Sequence, residues 1–131
     1  MSDREQAQAL LGMAEKDLKA LVGMTDSEIF VEEVFGFHAQ QAIEKALKAW
    51  MALLSMEYPF THDISHLLRL LTDRGCATDL FWPLIEYNAF AVQFRYEAYG
   101  EDEDPLDRMK TIEEVQRLVI FIRKIMEETR G

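Results

Sequence analysis

Residues 37–50 read FHAQQAIEKALKAW, and at 3.6 residues per turn they divide into two faces of one helix. The apolar face is lined by Ala42, Ile43, Ala46, Leu47, Ala49, Trp50, Leu53 and Leu54. His38 lies at the boundary, and the polar face holds Gln40, Gln41, Glu44, Lys45 and Lys48. The pattern predicts a long amphipathic helix from about Ser27 to Leu54.

Helical patterning continues on both sides of this stretch. Capping boxes, which are typical of helix starts, occur at Ser2-x-x-Glu5, Thr25-x-x-Glu28 and Thr111-x-x-Glu114, and Thr61 is a further candidate cap. Four more helices are predicted, from Ser2 to about Val22, from His62 to about Thr72, from about Pro83 to Tyr99 and from about Leu106 to Glu128. Because short connections join antiparallel neighbours, we expect an all-α, up-and-down antiparallel bundle of four or five helices, as a single domain over residues 1–131.

The composition limits the classes of function. With 131 residues, 6 Gly and 3 Pro, the chain has the length of one domain and few residues that interrupt helices. Its formal net charge of −10 disfavours general binding to nucleic-acid phosphates and suits a basic partner. The single cysteine, Cys76, fits a reducing compartment. Since the sequence shows no signal-peptide pattern and no apolar run of membrane length, we expect a cytoplasmic protein without membrane contact.

The predicted fourth helix carries a charged side chain on an apolar flank. Asn88 and Arg95 are seven residues apart and therefore stack on one face, together with Ile85, Val92, Tyr96 and Tyr99. A guanidinium is costly to bury without partners. Arg95 is therefore expected to pair with a carboxylate such as Glu101 or Asp102, to line a cleft or to lie at an interface.

Two interpretations apply to the polar face of residues 37–50. In the first, it is a solvated face on which Glu and Lys pair within the helix. In the second, it presents a donor-rich stripe to a phosphate or a partner, formed by His38, Gln41, Lys45 and Lys48.

Metal and cofactor motifs are weak or missing in the sequence. His62 and His66 have the spacing at which two imidazoles share a metal ion, with Asp63 nearby, but no third ligand is spaced to complete a site. The acidic run from Glu101 to Asp104 lacks the glycine and the alternating spacing of a calcium loop. No phosphate loop, dinucleotide fingerprint or catalytic triad is present. We therefore expect neither a metal nor a cofactor.

Three stretches together resemble the HEPN family of small helical domains from prokaryotes and higher eukaryotes. FHAQQAIEKALKAW (37–50) is similar to the family's second-helix motif, THDISHLLRLL (61–71) to the start of its third helix, and FRYEAY (94–99) to the Arg-Tyr that ends its fourth. The resemblance covers essentially the whole chain. It implies a helical bundle, commonly a homodimer, often encoded beside or fused to a minimal nucleotidyltransferase as a toxin–antitoxin pair. The family also resembles the helical substrate-binding domain of kanamycin nucleotidyltransferase.

Many members of the family are metal-independent ribonucleases, and the resemblance assigns Arg95 to the arginine of their motif. The histidine of that motif would follow at positions 100–102, where this sequence has Gly100, Glu101 and Asp102. The proton-transfer group is therefore missing, and carboxylates stand where an RNA phosphate would approach. A different histidine, such as His62 or His38, could replace it only if the fold brings that histidine to Arg95.

Three hypotheses for the function follow. The first is a non-catalytic HEPN-like module that acts with a nucleotidyltransferase partner and binds a nucleotide or phosphate through Arg95, Tyr96, Asn88, His38, Gln41 and Lys45. The second is a metal-independent endoribonuclease, in which Arg95 stabilises phosphoryl charge and His62 serves as base or acid. The third is a structural dimerisation domain, in which Arg95 pairs with an acid of a second chain. We favour the first.

Overall fold

The structure is a computed structural model that describes residues 2–91 and 105–129. Its helices are α1 (Asp3–Gly23), α2 (Glu32–Leu53), α3 (Ile64–Asp73), a 3-10 helix (Asp79–Phe90) and α4 (Arg108–Glu128). No strand occurs in the described ranges, so the predicted all-α helical bundle is confirmed. In the same ranges, none of the helices combines the length and apolar character that a membrane span requires.

The helix that carries residues 37–50 is the centre of the bundle, because α2 packs against each of the other four helices. Its predicted apolar face forms the middle of the core, where Ile43 and Leu47 are fully buried. Burying a side chain of this size stabilises the fold by about 1.5–3 kcal/mol. The direction of α1 relative to α4 is fixed at one end by Arg108, at the start of α4, which donates to the carbonyl oxygen of Met24 beyond the end of α1. At the other end Arg4, in the first turn of α1, donates to the Met126 carbonyl oxygen near the end of α4 at 3.1 Å, so the two helices are antiparallel.

Helix starts agree with the sequence prediction at α1 and differ at α2. The Glu5 backbone N–H donates to Ser2 Oγ at 3.1 Å, which confirms the cap at Ser2. The predicted start near Ser27 is wrong, because α2 begins at Glu32. Before it, the chain makes a turn in which Asp26 accepts the Glu28 N–H at 2.9 Å. Val31 precedes the first turn of α2 without a side-chain cap, so Thr25 does not cap this helix.

The starts of α3 and α4 also differ from the prediction, for a common reason. Asp63, not Thr61, caps α3, which begins two residues later than predicted. Asp107 caps α4 by accepting the Lys110 N–H at 3.1 Å, and the predicted box at Thr111 lies inside the helix. In both cases an aspartate stands directly before the first turn, where its carboxylate accepts a free backbone N–H.

The fourth helix differs most from the prediction of an α-helix from Pro83 to Tyr99. The described part is a 3-10 helix that begins earlier, at Asp79, and encloses Pro83. Its buried residues recur at every third position, which matches three residues per turn, and they are Phe81, Leu84, Tyr87 and Phe90. The remainder of the predicted helix, residues 92–99, lies outside the described residues.

The end of the 3-10 helix packs directly on the backbone of α2. A Cβ atom at Gly36 would overlap the ring of Phe90, so glycine is required for this close approach. Phe90 is buried. This contact holds its neighbours Asn88 and Ala91 close to the start of α3, where the candidate site is found.

Candidate functional site

Asn88 connects the 3-10 helix to the first turn of α3. Its Oδ1 accepts the Ile64 backbone N–H at 2.8 Å, and its Nδ2 donates to Asp63 Oδ1 at 2.9 Å. Asn88 therefore satisfies a backbone donor that the helix itself leaves unpaired. This residue was predicted to bind a ligand, and in the structure both atoms of its amide group bond within the protein.

Asp63 is held as a carboxylate. Hydrogen bonds from the Ser65 hydroxyl, the largest effect, and from the Ser65 and His66 backbone and Asn88 outweigh burial and lower the pKa of Asp63. The Ser65 Oγ–Asp63 Oδ1 distance is 2.6 Å, and the Ser65 N–H donates to the same oxygen at 2.9 Å. Asp63 is thus ionised at neutral pH and accepts hydrogen bonds without donating any.

The polar face of α2 is not solvated at its centre. Gln40 and Glu44 are buried, so the solvated-face interpretation is wrong for these two residues. They are covered by the segment before α3, where the His62 carbonyl oxygen accepts from Gln40 Nε2 at 3.0 Å. The predicted pairing within the helix is confirmed at one place, since Lys48 Nζ lies 2.9 Å from Glu44 Oε2.

The imidazole of His62 is oriented by Glu44. Its Nδ1 lies 2.7 Å from Glu44 Oε1. Burial raises the pKa of Glu44, but hydrogen bonds from Lys48, His62 and Gln40 outweigh burial and hold the pKa below its ordinary value of 4.5. An ionised Glu44 accepts a hydrogen bond from Nδ1–H, which places the proton of the neutral ring on Nδ1 and leaves Nε2 as the acceptor. The His62 side chain is 60% exposed, and none of the described residues hydrogen-bonds its Nε2.

A cavity of about 300 Å³ lies at the junction of α3 and the 3-10 helix. It is lined by His62, Asp63, Ser65, Asn88 and Ala91. Two residues singled out in the sequence, His62 and Asn88, therefore share one cavity although they are far apart along the chain. Ala91, the last described residue before the gap, is four positions before Arg95 in the sequence.

The donor-rich stripe predicted on α2 is divided between two clusters. Asp17 of α1 receives both His38, at 3.1 Å from its Oδ1, and Lys45, at 2.9 Å from its Oδ2. Gln41 Nε2 instead donates to Gln40 Oε1 at 2.8 Å. His38 and Lys45 therefore join α2 to α1. The predicted contacts Arg95 and Tyr96 lie outside the described residues, as do Gly100, Glu101 and Asp102.

The described residues offer no arrangement of metal ligands. Across residues 2–91 and 105–129, no three His, Cys, Asp or Glu side chains are placed to hold a metal ion. His62 is engaged with Glu44, and Asp63 is engaged with Ser65 and Asn88. The chemistry of this site is thus hydrogen bonding, with one imidazole nitrogen and one carboxylate available at the cavity.

A second cavity, of about 390 Å³, lies between the 3-10 helix and α4. On its wall, the Tyr87 hydroxyl and Thr111 Oγ1 are 2.8 Å apart. Burial, and then the charge of Glu86, raise the pKa of Glu114 nearby, and burial raises the pKa of Tyr87 well above its usual range. The Tyr87 hydroxyl therefore stays neutral and links the two helices.

Comparison with known proteins identifies the family. The sequence matches the family profile of the HEPN domain over residues 7–131, which is nearly the whole chain. The chain belongs to the HEPN family. HEPN domains are nucleotide-binding or ribonuclease-like modules. Comparisons with curated proteins and with solved structures yield no match.

Within this HEPN domain, the residue that sequence reasoning missed is Glu44. It was assigned only to the polar face of α2, where Gln40 and Lys48 stand one turn on either side of it. That local signal predicts the pair with Lys48. The bond to His62 joins residues 18 positions apart, and only the packing of the segment before α3 on α2 reveals it.

Proposed function

We propose that this HEPN domain is a non-catalytic module that binds a nucleotide or a phosphate ligand. The observation that carries the proposal is the cavity beside His62. There the buried Glu44 orients the imidazole, and none of the described residues forms a hydrogen bond with the Nε2 atom of His62. Small cavities with a few oriented polar groups are typical binding sites. Arg95 and Tyr96, which follow Ala91 in the sequence, are the proposed additional contacts, and the guanidinium of Arg95 is the proposed contact for a phosphate.

The motif that follows Arg95 supports binding over cleavage. Gly100, Glu101 and Asp102 occupy the positions at which HEPN ribonucleases carry their histidine. Without that group, RNA cleavage lacks its proton-transfer residue at this position. The two carboxylates also repel an approaching RNA phosphate. Binding of a small nucleotide requires neither a general base nor a long phosphate track.

We further propose that the domain is a homodimer that acts with a minimal nucleotidyltransferase, in the manner of a toxin–antitoxin pair. The net charge of −10 favours a partner with a basic surface. Light scattering of the purified chain tests the dimer, which should have twice the chain mass of 15.2 kDa. Co-purification with a co-expressed minimal nucleotidyltransferase encoded beside it tests the partner, and separate elution of the two proteins would contradict it.

Calorimetric titration with AMP and ATP tests the binding function. We expect the wild-type protein to bind, and His62→Ala and Arg95→Ala each to weaken binding about tenfold, as the loss of one hydrogen bond to the ligand does. His66→Ala is the matched control, because His66 is on α3 but does not line the cavity. A wild-type protein that binds neither nucleotide would overturn the proposal.

A second function, a metal-independent endoribonuclease with a displaced histidine, is favoured by one observation. A carboxylate bonded to Nδ1 of an exposed imidazole is the arrangement that orients a general base in hydrolases, and Glu44 and His62 form it here. Labelled single-stranded RNA, incubated without metal, distinguishes the two functions. Cleavage that is lost in both Arg95→Ala and His62→Ala but kept in His66→Ala would establish the ribonuclease. No cleavage by the wild type would support the binding module.

A further inference from the structure

Apart from the Asn88 amide, which donates to Asp63, the polar groups that line the cavity beside His62 are hydrogen-bond acceptors. Asp63 is ionised, and a carboxylate only accepts. In the neutral ring of His62 the proton is on Nδ1 toward Glu44, so Nε2 is also an acceptor. The hydroxyl of Ser65 donates to Asp63 and thus keeps its own oxygen available to accept. A lining of this kind is complementary to a ligand that donates.

The groups that would hold a phosphate are already engaged at this place. Of the free N–H groups in the first turn of α3, that of Ile64 donates to Asn88 and that of Ser65 donates to Asp63. Among the described residues, no lysine or arginine lines the cavity. The Asp63 carboxylate repels an anion. The cavity is therefore unsuited to the phosphate end of a nucleotide.

We propose that this cavity is a ribose subsite, in which Asp63 and Nε2 of His62 accept hydrogen bonds from the vicinal hydroxyls of a ribonucleotide. A carboxylate that accepts from ribose hydroxyls is a general mode of nucleotide recognition. The volume of about 300 Å³ is at the small end for ligand pockets, which suits a sugar better than an entire nucleotide. This inference rests on the proposed nucleotide-binding function and names the part of the nucleotide that binds here.

Glu44 has the role of a positioning residue in this subsite. Its bond to Nδ1 fixes the tautomer of His62, so that Nε2 accepts from the ligand. A nitrogen NMR spectrum of the imidazole reports the tautomer directly. We expect a single Nδ1–H form in the wild type near pH 8 and a mixture of tautomers in Glu44→Gln, a change that mere loss of stability does not produce.

The subsite is tested by calorimetric titration with AMP, 2′,3′-dideoxy-AMP and inorganic phosphate. We expect AMP to bind about tenfold or more tighter than the dideoxy analogue, because a site built to accept from hydroxyls is left with unpaired groups when they are missing. In Asp63→Asn and in His62→Ala this preference should fall to about threefold or less. Asparagine is a good helix cap, so Asp63→Asn keeps α3 intact. His66→Ala should retain the full preference.

The outcomes separate this inference from the function on which it rests. If AMP and its dideoxy analogue bind equally well to the wild type, or if Asp63→Asn and His62→Ala keep the full preference, the ribose subsite is overturned and nucleotide binding stands. If phosphate binds as tightly as AMP, the subsite is overturned as well and the phosphate function stands. If none of the three ligands binds, both proposals are overturned.

Discussion

Two clusters on α2 are built from the same residue types, a carboxylate that receives one lysine and one histidine. They are the Glu44 cluster, with Lys48 and His62, and the Asp17 cluster, with Lys45 and His38. In both clusters the carboxylate bonds the Nδ1 atom of the imidazole. The histidine of the Glu44 cluster is 60% exposed and lines a cavity, whereas that of the Asp17 cluster is 29% exposed.

The same residue types have different roles in the two clusters because the clusters lie at different places in the fold. In the Asp17 cluster the carboxylate comes from α1 and its two partners from α2, so the bonds join two helices. In the Glu44 cluster the carboxylate and the lysine belong to the same helix, and the imidazole comes from the segment before α3. The first arrangement contributes to packing, while the second holds an exposed ring over a cavity. We therefore assign ligand chemistry to the Glu44 cluster alone.

The largest expected effect comes from removing the two carboxylates in turn. Glu44→Ala leaves the largely buried Lys48 ammonium without its carboxylate and removes one acceptor of the Gln40 amide, and should lower the free energy of unfolding by about 3 kcal/mol or more. Asp17→Ala affects Lys45 and His38, which are more exposed, and should cost about 1 kcal/mol. Urea unfolding at pH 7 measures both. Equal losses in the two variants would contradict the distinction between the clusters.

A second test disturbs the cavity through its support, the contact of Phe90 with Gly36. Gly36→Ala places a methyl group against the ring of Phe90, and such overpacking should cost about 2 kcal/mol. Because Phe90 is two residues from Asn88, which lines the cavity with His62, the NMR signals of the His62 ring should shift.

Gly12→Ala is the matched control for this substitution. A Cβ atom there meets nothing within 4 Å, and Gly12 lies inside α1, so alanine should stabilise the protein by up to about 1 kcal/mol. Thermal unfolding of both variants gives the comparison. If Gly36→Ala is as stable as the wild type, the close approach of the 3-10 helix to α2 is wrong.

The pH dependence of the free energy of unfolding tests the Glu44 cluster directly. The pKa of Glu44 is lower in the folded protein than its ordinary value of 4.5, so its ionised form stabilises the fold. This contribution is fully present above 4.5 and is lost as the pH falls through the lowered pKa of the folded state. Urea unfolding of wild type and Glu44→Gln between pH 7 and pH 3 should show the wild type losing more stability. Parallel curves would show that Glu44 is not held as a carboxylate.

The fold was predictable because its main signals are local. The two faces of residues 37–50 and the cap at Ser2 depend on spacing within one helix, and both are present in the structure. The spacing of Phe81, Leu84, Tyr87 and Phe90 at every third residue is that of a 3-10 helix, and the 3.6-residue period of an α-helix does not describe this segment. The helix starts depend on which of several nearby Ser, Thr or Asp residues caps. An aspartate caps α3 and α4, and α2 begins after Val31 without a side-chain cap.

The candidate site was less predictable because its bonds join distant parts of the chain. His62 attracts attention in the sequence through its spacing from His66, and Asn88 as a polar residue on an apolar flank, and the structure brings both to one cavity. Their partners, Glu44 for His62 and the α3 backbone for Asn88, follow only from tertiary packing. The same holds for Asp17, which no local pattern connects to His38. Spacing on one helix therefore locates candidate residues but does not assign their bonds.

The smallest expected change in stability concerns Asp63, which both caps α3 and lines the cavity. Asp63→Ala removes the cap of α3 and should cost about 1 kcal/mol, whereas Asp63→Asn keeps a side-chain oxygen for the Ser65 N–H and should cost a few tenths of that, roughly 0.3 kcal/mol. Chemical denaturation at pH 7 measures both changes. If the asparagine variant loses as much stability as the alanine variant, the charge of Asp63 holds α3 in place, and a weakened preference for ribose hydroxyls could not be assigned to the ligand. If it loses little, that preference reports directly on the acceptor that the carboxylate presents to the cavity.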